Sequence, residues 1–206
     1  MTPMPFQFGP SVLPDHFADH VALPCSVKYT MRNEAQTQWL AEQLALAMTA
    51  HWQSAILPGM APIRIYLSGD LGAGKTTFAR AFLRTLGVSG RIKSPTYAIL
   101  EPYELELQAK SRLNLYHFDF YRFGSASEWE DAGFRELFDE SAIILAEWPE
   151  KVARALPSPD LWLVLENDEN ADVRHLSAYC AANFDATTNT WLTSWLNTLQ
   201  APSTKD

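Results

Sequence analysis

Cysteine is nearly absent from this chain, with only Cys25 and Cys180 among 206 residues. The two stand far apart and without metal-ligand spacing, so buried thiols are expected rather than a disulfide or a zinc site. No apolar run approaches the length that crosses a bilayer. Met1 to Pro24 has neither the basic start nor the apolar centre of a signal peptide, and the expected location is the cytoplasm. Positive charge is also in short supply: 16 Lys and Arg against 24 Asp and Glu leave a net charge of −8. That balance argues against a protein that grips nucleic acid unaided, because non-specific affinity for a phosphate backbone comes from a surplus of Lys and Arg. Repeats at a solenoid period and low-complexity tracts are absent as well.

The composition is otherwise that of a globular protein, 47% hydrophobic and 19% charged. The length suits one domain with a sizeable core, placed at residues 25–200. Ahead of it lies an arm, residues 1–24, whose prolines at 3, 5, 10, 14 and 24 remove backbone donors and fix angles that regular elements cannot use. A short tail follows at 201–206. The charge is uneven: Arg64, Lys75, Arg80, Arg84, Arg91 and Lys93 face only Asp70 between positions 64 and 93. Two readings stand, a solvated helix face beside a ligand site or a docking patch for an acidic partner or RNA.

The rest of the chain is organised around Gly69 to Thr76, Gly-Asp-Leu-Gly-Ala-Gly-Lys-Thr. This stretch fills every fixed position of the phosphate-binding loop G-x-x-x-x-G-K-[ST]. Its flanks are the required ones: Ile63 to Leu67 suits a buried strand, and Thr77 to Leu86 an amphipathic helix. Gly69, Gly72 and Gly74 let the backbone turn so that its N–H groups approach phosphate oxygens, and the helix N-terminus adds its positive end. The predicted cradle comprises Gly69, Asp70, Leu71, Gly72, Ala73, Gly74, Lys75, Thr76 and Thr77. Within it Lys75 reaches the outer phosphates and Thr76 offers a hydroxyl to Mg2+.

Upstream, Asn33 caps a predicted helix with Gln36 in the capping-box position, and Leu40, Leu44, Ala47 and Met48 recur at helical spacing. Downstream, β-rich runs at Tyr97 to Tyr103 and Leu113 to Phe120 flank a polar connection, which predicts a hairpin. Alternation in the second run places His117, Asp119 and Tyr121 on one face and Phe118 and Phe120 on the other. Ser127 to Phe138 reads as one helix with Ser127 as its cap and Glu130 in the capping-box position. Ala142 to Ala146 is an apolar run suited to a central parallel strand, and it ends in Glu147. Ligands of open α/β sheets lie beyond the carboxyl ends of the strands, so Glu147 is a candidate for the magnesium shell. Further strands are expected at Leu161 to Glu166 and Arg174 to Cys180, and Trp191, Leu192, Trp195, Leu196 and Leu199 make a helical stripe for the core.

Taken together, these motifs resemble the TsaE (YjeE) family, the P-loop ATPases of bacterial tRNA threonylcarbamoyladenosine biosynthesis. The resemblance rests on Gly69 to Phe78, Lys93-Ser94-Pro95-Thr96-Tyr97 and Glu101-Pro102-Tyr103, followed by His117 to Arg122, Gly133 and Glu147-Trp148-Pro149-Glu150. It runs from about Glu34 to Cys180 and omits the arm and the C-terminal stripe. It implies an α/β fold, a P-loop NTPase three-layer sandwich with a mixed, mostly parallel central sheet and flanking helices. It also implies ATP and Mg2+ as cofactors. TsaB and TsaD are the implied partners, with tRNA reached only through their complex. Thr76 and Glu147 would bind magnesium, Ser94 to Thr96 would act as a switch near the γ-phosphate, and Asp119 would lie close to metal and water. Thr37 and Arg174 would add nucleotide contacts.

Hydrolysis needs one residue to orient water while loop and metal neutralise charge. Asp119 is the first candidate and Thr96 the second, with Lys75 on the phosphates. Arg122 is open between stabilising charge and pairing with Asp119; Trp148 is open between core and site. Competing classes are a small-molecule or nucleotide kinase, a GTP-driven switch and a binding module with ATP as a structural ligand. The first needs an arginine-bearing lid and the second an Asn-Lys-x-Asp element, neither visible here, and intact Thr76, Asp119 and Glu147 argue against the third.

Overall fold

Strands with the apolar character just described assemble into one seven-stranded sheet. The computed structural model describes residues 26–54, 61–106, 112–170, 172–180 and 190–200; the expected N-terminal arm, Cys25 and the tail lie outside them. Across the sheet run β1 (Ser26–Met31), β7 (Arg174–Cys180), β6 (Leu161–Asn167), β2 (Ile63–Gly69), β5 (Ala142–Glu147), β4 (Arg112–Asp119) and β3 (Leu100–Glu106). The four central strands, β6, β2, β5 and β4, are parallel neighbours. The margins, β1 on β7, β7 on β6 and β3 on β4, are antiparallel. The sheet is therefore mixed, with its parallel part gathered in the middle. Both faces of that part are covered, which is why β5 reads as a continuous apolar run and is buried at every position.

Period-two alternation sends side chains into two separate cores. On one face α1 (Glu34–Ser54), α2 (Lys75–Thr85) and α5 (Thr190–Gln200) bring Leu40, Leu44, Phe78, Phe82 and Trp195 onto Ile65, Leu67, Leu145 and Leu163. On the other, Tyr66, Phe118, Ile144 and Trp162 pack with Trp129 and Phe138, which come from α3 (Ala126–Asp131) and α4 (Arg135–Asp139). Helices thus flank the sheet on both sides. The stripe from Trp191 to Leu199 is buried in the first core, and Cys180 is buried at the end of β7.

Three local expectations need correction. The span Ser127 to Phe138 is two short helices, because Gly133 adopts a left-handed φ of 71° and separates α3 from α4. The first of them is capped at Ser125 rather than Ser127, and the Glu128 carboxylate, not that of Glu130, accepts the Gly124 N–H at 2.9 Å. Thr96 to Ala98 form a turn with a bend at Ile99, and β3 starts at Leu100, because Ile99 has a φ of 68° that no strand can contain. At α1, Asn33 Oδ1 accepts the Gln36 N–H at 3.0 Å as expected, while the Gln36 side chain reaches back one residue further, to the Arg32 N–H at 2.7 Å.

Candidate functional site

Loop and helix meet at the carboxyl edge of the central strands, where β2 ends in Gly69. A β-carbon on Gly69, at its φ of 136°, would stand 2.0 Å from the Leu165 carbonyl oxygen on β6, so only glycine permits these two strands to close there. Gly74, also left-handed at 101°, caps α2, which begins at Lys75 rather than Thr77. The first turn of that helix carries no acidic side chain, so its backbone donors face the loop unneutralised. Leu71 stands exposed at the loop tip.

Lys75 is buried, and its Nζ donates to the carbonyls of Gly69 (2.5 Å) and Asp70 (2.9 Å). Above it lies the Trp148 ring, with the ammonium 3.5 Å from the ring centroid. Trp148 is thus a lid on the lysine, held at a φ of 59° and packed against Tyr121, their centroids 5.0 Å apart. Burial pushes the Lys75 ammonium below its ordinary value, against the opposing pull of Glu147, Glu150, Asp119 and Asp70.

Next to Lys75, the Thr76 hydroxyl donates to Glu147 Oε2 at 2.8 Å. Glu147 is buried, and its other oxygen, Oε1, is 3.0 Å from His117 Nε2. On β4, Asp119 is the register partner of Glu147. Its Oδ2 accepts from Ser94 Oγ and Thr96 Oγ1, each at 2.6 Å, and Oδ1 from the Tyr121 N–H at 3.0 Å. A second polar chain runs behind the loop: Trp162 Nε1 donates to Ser68 Oγ at 2.8 Å, and Ser68 donates to Glu150 Oε2 at 2.9 Å. Burial raises the Glu150 carboxyl above its ordinary range, with the Ser68 bond and Lys75 acting the other way.

Lys75, Thr76, Thr96, Asp119 and Glu147 therefore converge. Thr37 and Arg174 lie to one side, lining with Gly72, Gly74 and Thr77 a pocket of about 180 Å³. Arg122 does not pair with Asp119: it is exposed, with its guanidinium 4.1 Å from the Tyr97 ring centroid. The basic residues between 64 and 93 do not form one patch either. Arg64 sits at the far end of β2 and donates to the Phe138 carbonyl at 2.8 Å, while Arg80 donates to that of Ile92 at 3.3 Å. Sequence reasoning missed the link of His117 to Glu147 and the Trp162–Ser68–Glu150 chain. The shared face of His117 and Asp119 was the available signal for the first; the second joins residues on separate elements and carries no local motif.

A glycine loop between a central strand and a helix, with carboxylates from the adjacent strand β5 and from β4 beyond it, defines a P-loop-type α/β protein. The chain belongs to the TsaE family, whose model, described as threonylcarbamoyl adenosine biosynthesis protein TsaE, matches residues 31–176. A relative named tRNA threonylcarbamoyladenosine biosynthesis protein TsaE from Haemophilus influenzae is 34% identical over 153 residues, covering 73% of this chain and 92% of its own. A protein of the same name from Bacillus subtilis is 39% identical over 100 residues, 48% of this chain and 59% of the relative. A crystal structure of Bacillus subtilis YdiB superposes with a TM-score of 0.60 at 24% identity, covering 84% of this chain and 96% of that one, a likeness of fold.

Proposed function

We propose that this chain is the ATP-binding and ATP-hydrolysing component of the machinery that makes threonylcarbamoyladenosine at position 37 of tRNA, working in the cytoplasm with TsaB and TsaD. It supports their threonylcarbamoyl transfer without performing it and reaches tRNA only through the complex. Family membership and the relatives' names support the pathway. The ATPase reading is carried by one observation: Thr76 Oγ1 and Glu147 Oε2 meet at 2.8 Å at the mouth of a glycine loop.

That pair is a set of oxygen donors only, and it fits Mg2+, which takes few protein oxygens and completes its shell with phosphate and water. Bound there, Mg2+ would help to neutralise the phosphate charge that develops during transfer. Everything else falls to the chain. The backbone N–H groups of residues 69–77 and the N-terminus of α2 hold the phosphates, and Lys75 adds a fixed positive charge. Thr37 and Arg174 border the nucleoside end. Asp119 orients a water for attack on the γ-phosphorus; the bond to the bridging oxygen breaks, and ADP leaves with the electron pair. Thr96 and Ser94 set the position of that carboxylate.

ATP turnover by the full chain, with and without purified TsaB and TsaD, tests this reading. A low rate alone, raised by the partners and lost in Asp119→Ala, is expected. Fast turnover that the partners leave unchanged, or a chain that takes up no ATP, overturns it.

A further inference from the structure

His117 lies two residues before the carboxyl end of β4 with no exposed surface, and its ring touches the site from beneath. Nε2 is 3.0 Å from Glu147 Oε1, while Nδ1 is buried without a hydrogen-bond partner. An ionised carboxylate only accepts, so beside an ionised Glu147 the shared proton belongs to Nε2, and Nδ1 carries a bare lone pair. A strand interior gains nothing from such an arrangement for its own sake, because an apolar side chain would fill the space without leaving a buried acceptor unpaired. Its neighbour in the parallel register, Leu145, shows what that face otherwise carries.

The geometry of Glu147 supplies a reason. Its two oxygens are divided: Oε2 meets Thr76, and Oε1 is engaged from the opposite side by the imidazole. We infer that His117 is a positioning residue, which donates from Nε2 to Glu147 Oε1 and so holds Oε2 toward Thr76 and the divalent cation the two would share. The inference rests on the proposed function. His117 touches neither nucleotide nor water in this scheme; it fixes the rotation of a ligand that would otherwise have to be ordered on binding. Partners that orient a metal ligand in this way commonly matter about 10–100-fold in metal affinity.

The test uses the full chain, ADP and Mn2+ as a spectroscopic probe, so that no turnover is needed. His117→Leu keeps the bulk and removes the donor, and His117→Gln places an amide N–H where Nε2 stood. Free Mn2+ measured by electron paramagnetic resonance in the presence of ADP is expected to show binding weakened about 10-fold or more in His117→Leu and rescued to within about 3-fold in His117→Gln. ADP affinity without metal is expected to stay the same in both. Should His117→Leu fail to fold, His117→Asn replaces it, since its shorter amide cannot reach Glu147. Long-range 15N NMR of the wild-type imidazole is expected to show the Nε2–H tautomer. A variant lacking the donor that binds Mn2+ as tightly as wild type, or an Nδ1–H tautomer, overturns the inference alone. A wild-type chain that binds no Mn2+ with ADP overturns the underlying reading and the inference together.

Discussion

Asp119 and Glu147 are register partners on adjacent parallel strands, yet their carboxylates are held by different parts of the chain. Glu147 is engaged by the helix after the loop and by its neighbour strand; Asp119 is engaged by the Ser94–Thr96 turn, whose two hydroxyls share Oδ2 at 2.6 Å each. A nucleotide-dependent movement of that turn would therefore release or reset Asp119 without disturbing Glu147. Asn in place of Asp119 has one acceptor where three donors converge. Asp119→Asn is expected to lower the rate of ATP hydrolysis by about 100-fold or more, as for loss of a residue that positions a reacting proton. ATP affinity should change by less than about 3-fold, since in the proposed function the binding contacts are those of the loop. Single-turnover kinetics with a parallel binding titration separates the two, and an unchanged chemical rate sinks the role given to Asp119.

Two glycines of the same loop should respond very differently to a methyl group. At Gly69 the added carbon meets the Leu165 carbonyl at 2.0 Å, while at Gly72, whose φ is 81°, it meets nothing within 4 Å. Gly69→Ala must part β2 from β6 and is expected to cost on the order of 3 kcal/mol or more. Gly72→Ala pays only for its left-handed backbone, about 1–2 kcal/mol. Urea denaturation of both variants gives the comparison, and equal losses would mean that the strand closure at Gly69 is not the constraint.

The features legible in the sequence are those whose chemistry imposes local spacing. The loop needs its glycines, lysine and threonine in consecutive positions, β4 needs alternation, and β5 needs an apolar run that stops at a carboxylate. Contacts between distant segments were legible only as separate halves: Ser94 and Asp119 are each conspicuous, but their bond is made by topology. Trp148 over Lys75 was open for the same reason, since a left-handed tryptophan after a strand has no glycine to announce it. The break at Gly133 was hidden because the polar pattern on either side continues a helical period through it. Arg122 illustrates the converse, since a nearby carboxylate invites an ion pair where an exposed aromatic face, Tyr97, provides the contact instead.

Glu150 gives the fold a pH dependence with a definite sign. Its folded carboxyl titrates above the ordinary value of 4.5 because it is largely desolvated, a shift that the bond from Ser68 opposes. Between that ordinary value and the raised one, the native state binds more protons than the unfolded chain, so stability falls as pH rises through the window. Glu150→Gln keeps an acceptor for Ser68 and removes the titration. It is expected to be more stable than wild type at neutral pH, with the advantage shrinking as pH falls to 4.5 and below. Denaturation midpoints of both proteins across that range provide the difference curve. A constant difference at every pH would mean that Glu150 is not desolvated in the native state.

The C-terminal helix lies beyond the matched residues 31–176, but its packing makes it part of the domain rather than an appendage. Trp195 is fully buried, and its Nε1 donates to the Leu40 carbonyl at 3.1 Å, tying α5 to α1 across the first core. Trp195→Ala should therefore cost about 3–5 kcal/mol, the range for removing a large buried aromatic. Trp195→Phe keeps most of the bulk and removes one hydrogen bond to a carbonyl that α1 itself also engages, so about 0.5–1.5 kcal/mol is expected. Because α1 also carries Thr37, which lines the pocket beside the loop, the alanine variant should in addition weaken ATP binding, while the phenylalanine variant should not. Equilibrium unfolding and nucleotide titration on the same preparations decide the matter. A loss below about 1 kcal/mol in Trp195→Ala would detach α5 from the core on which the site depends.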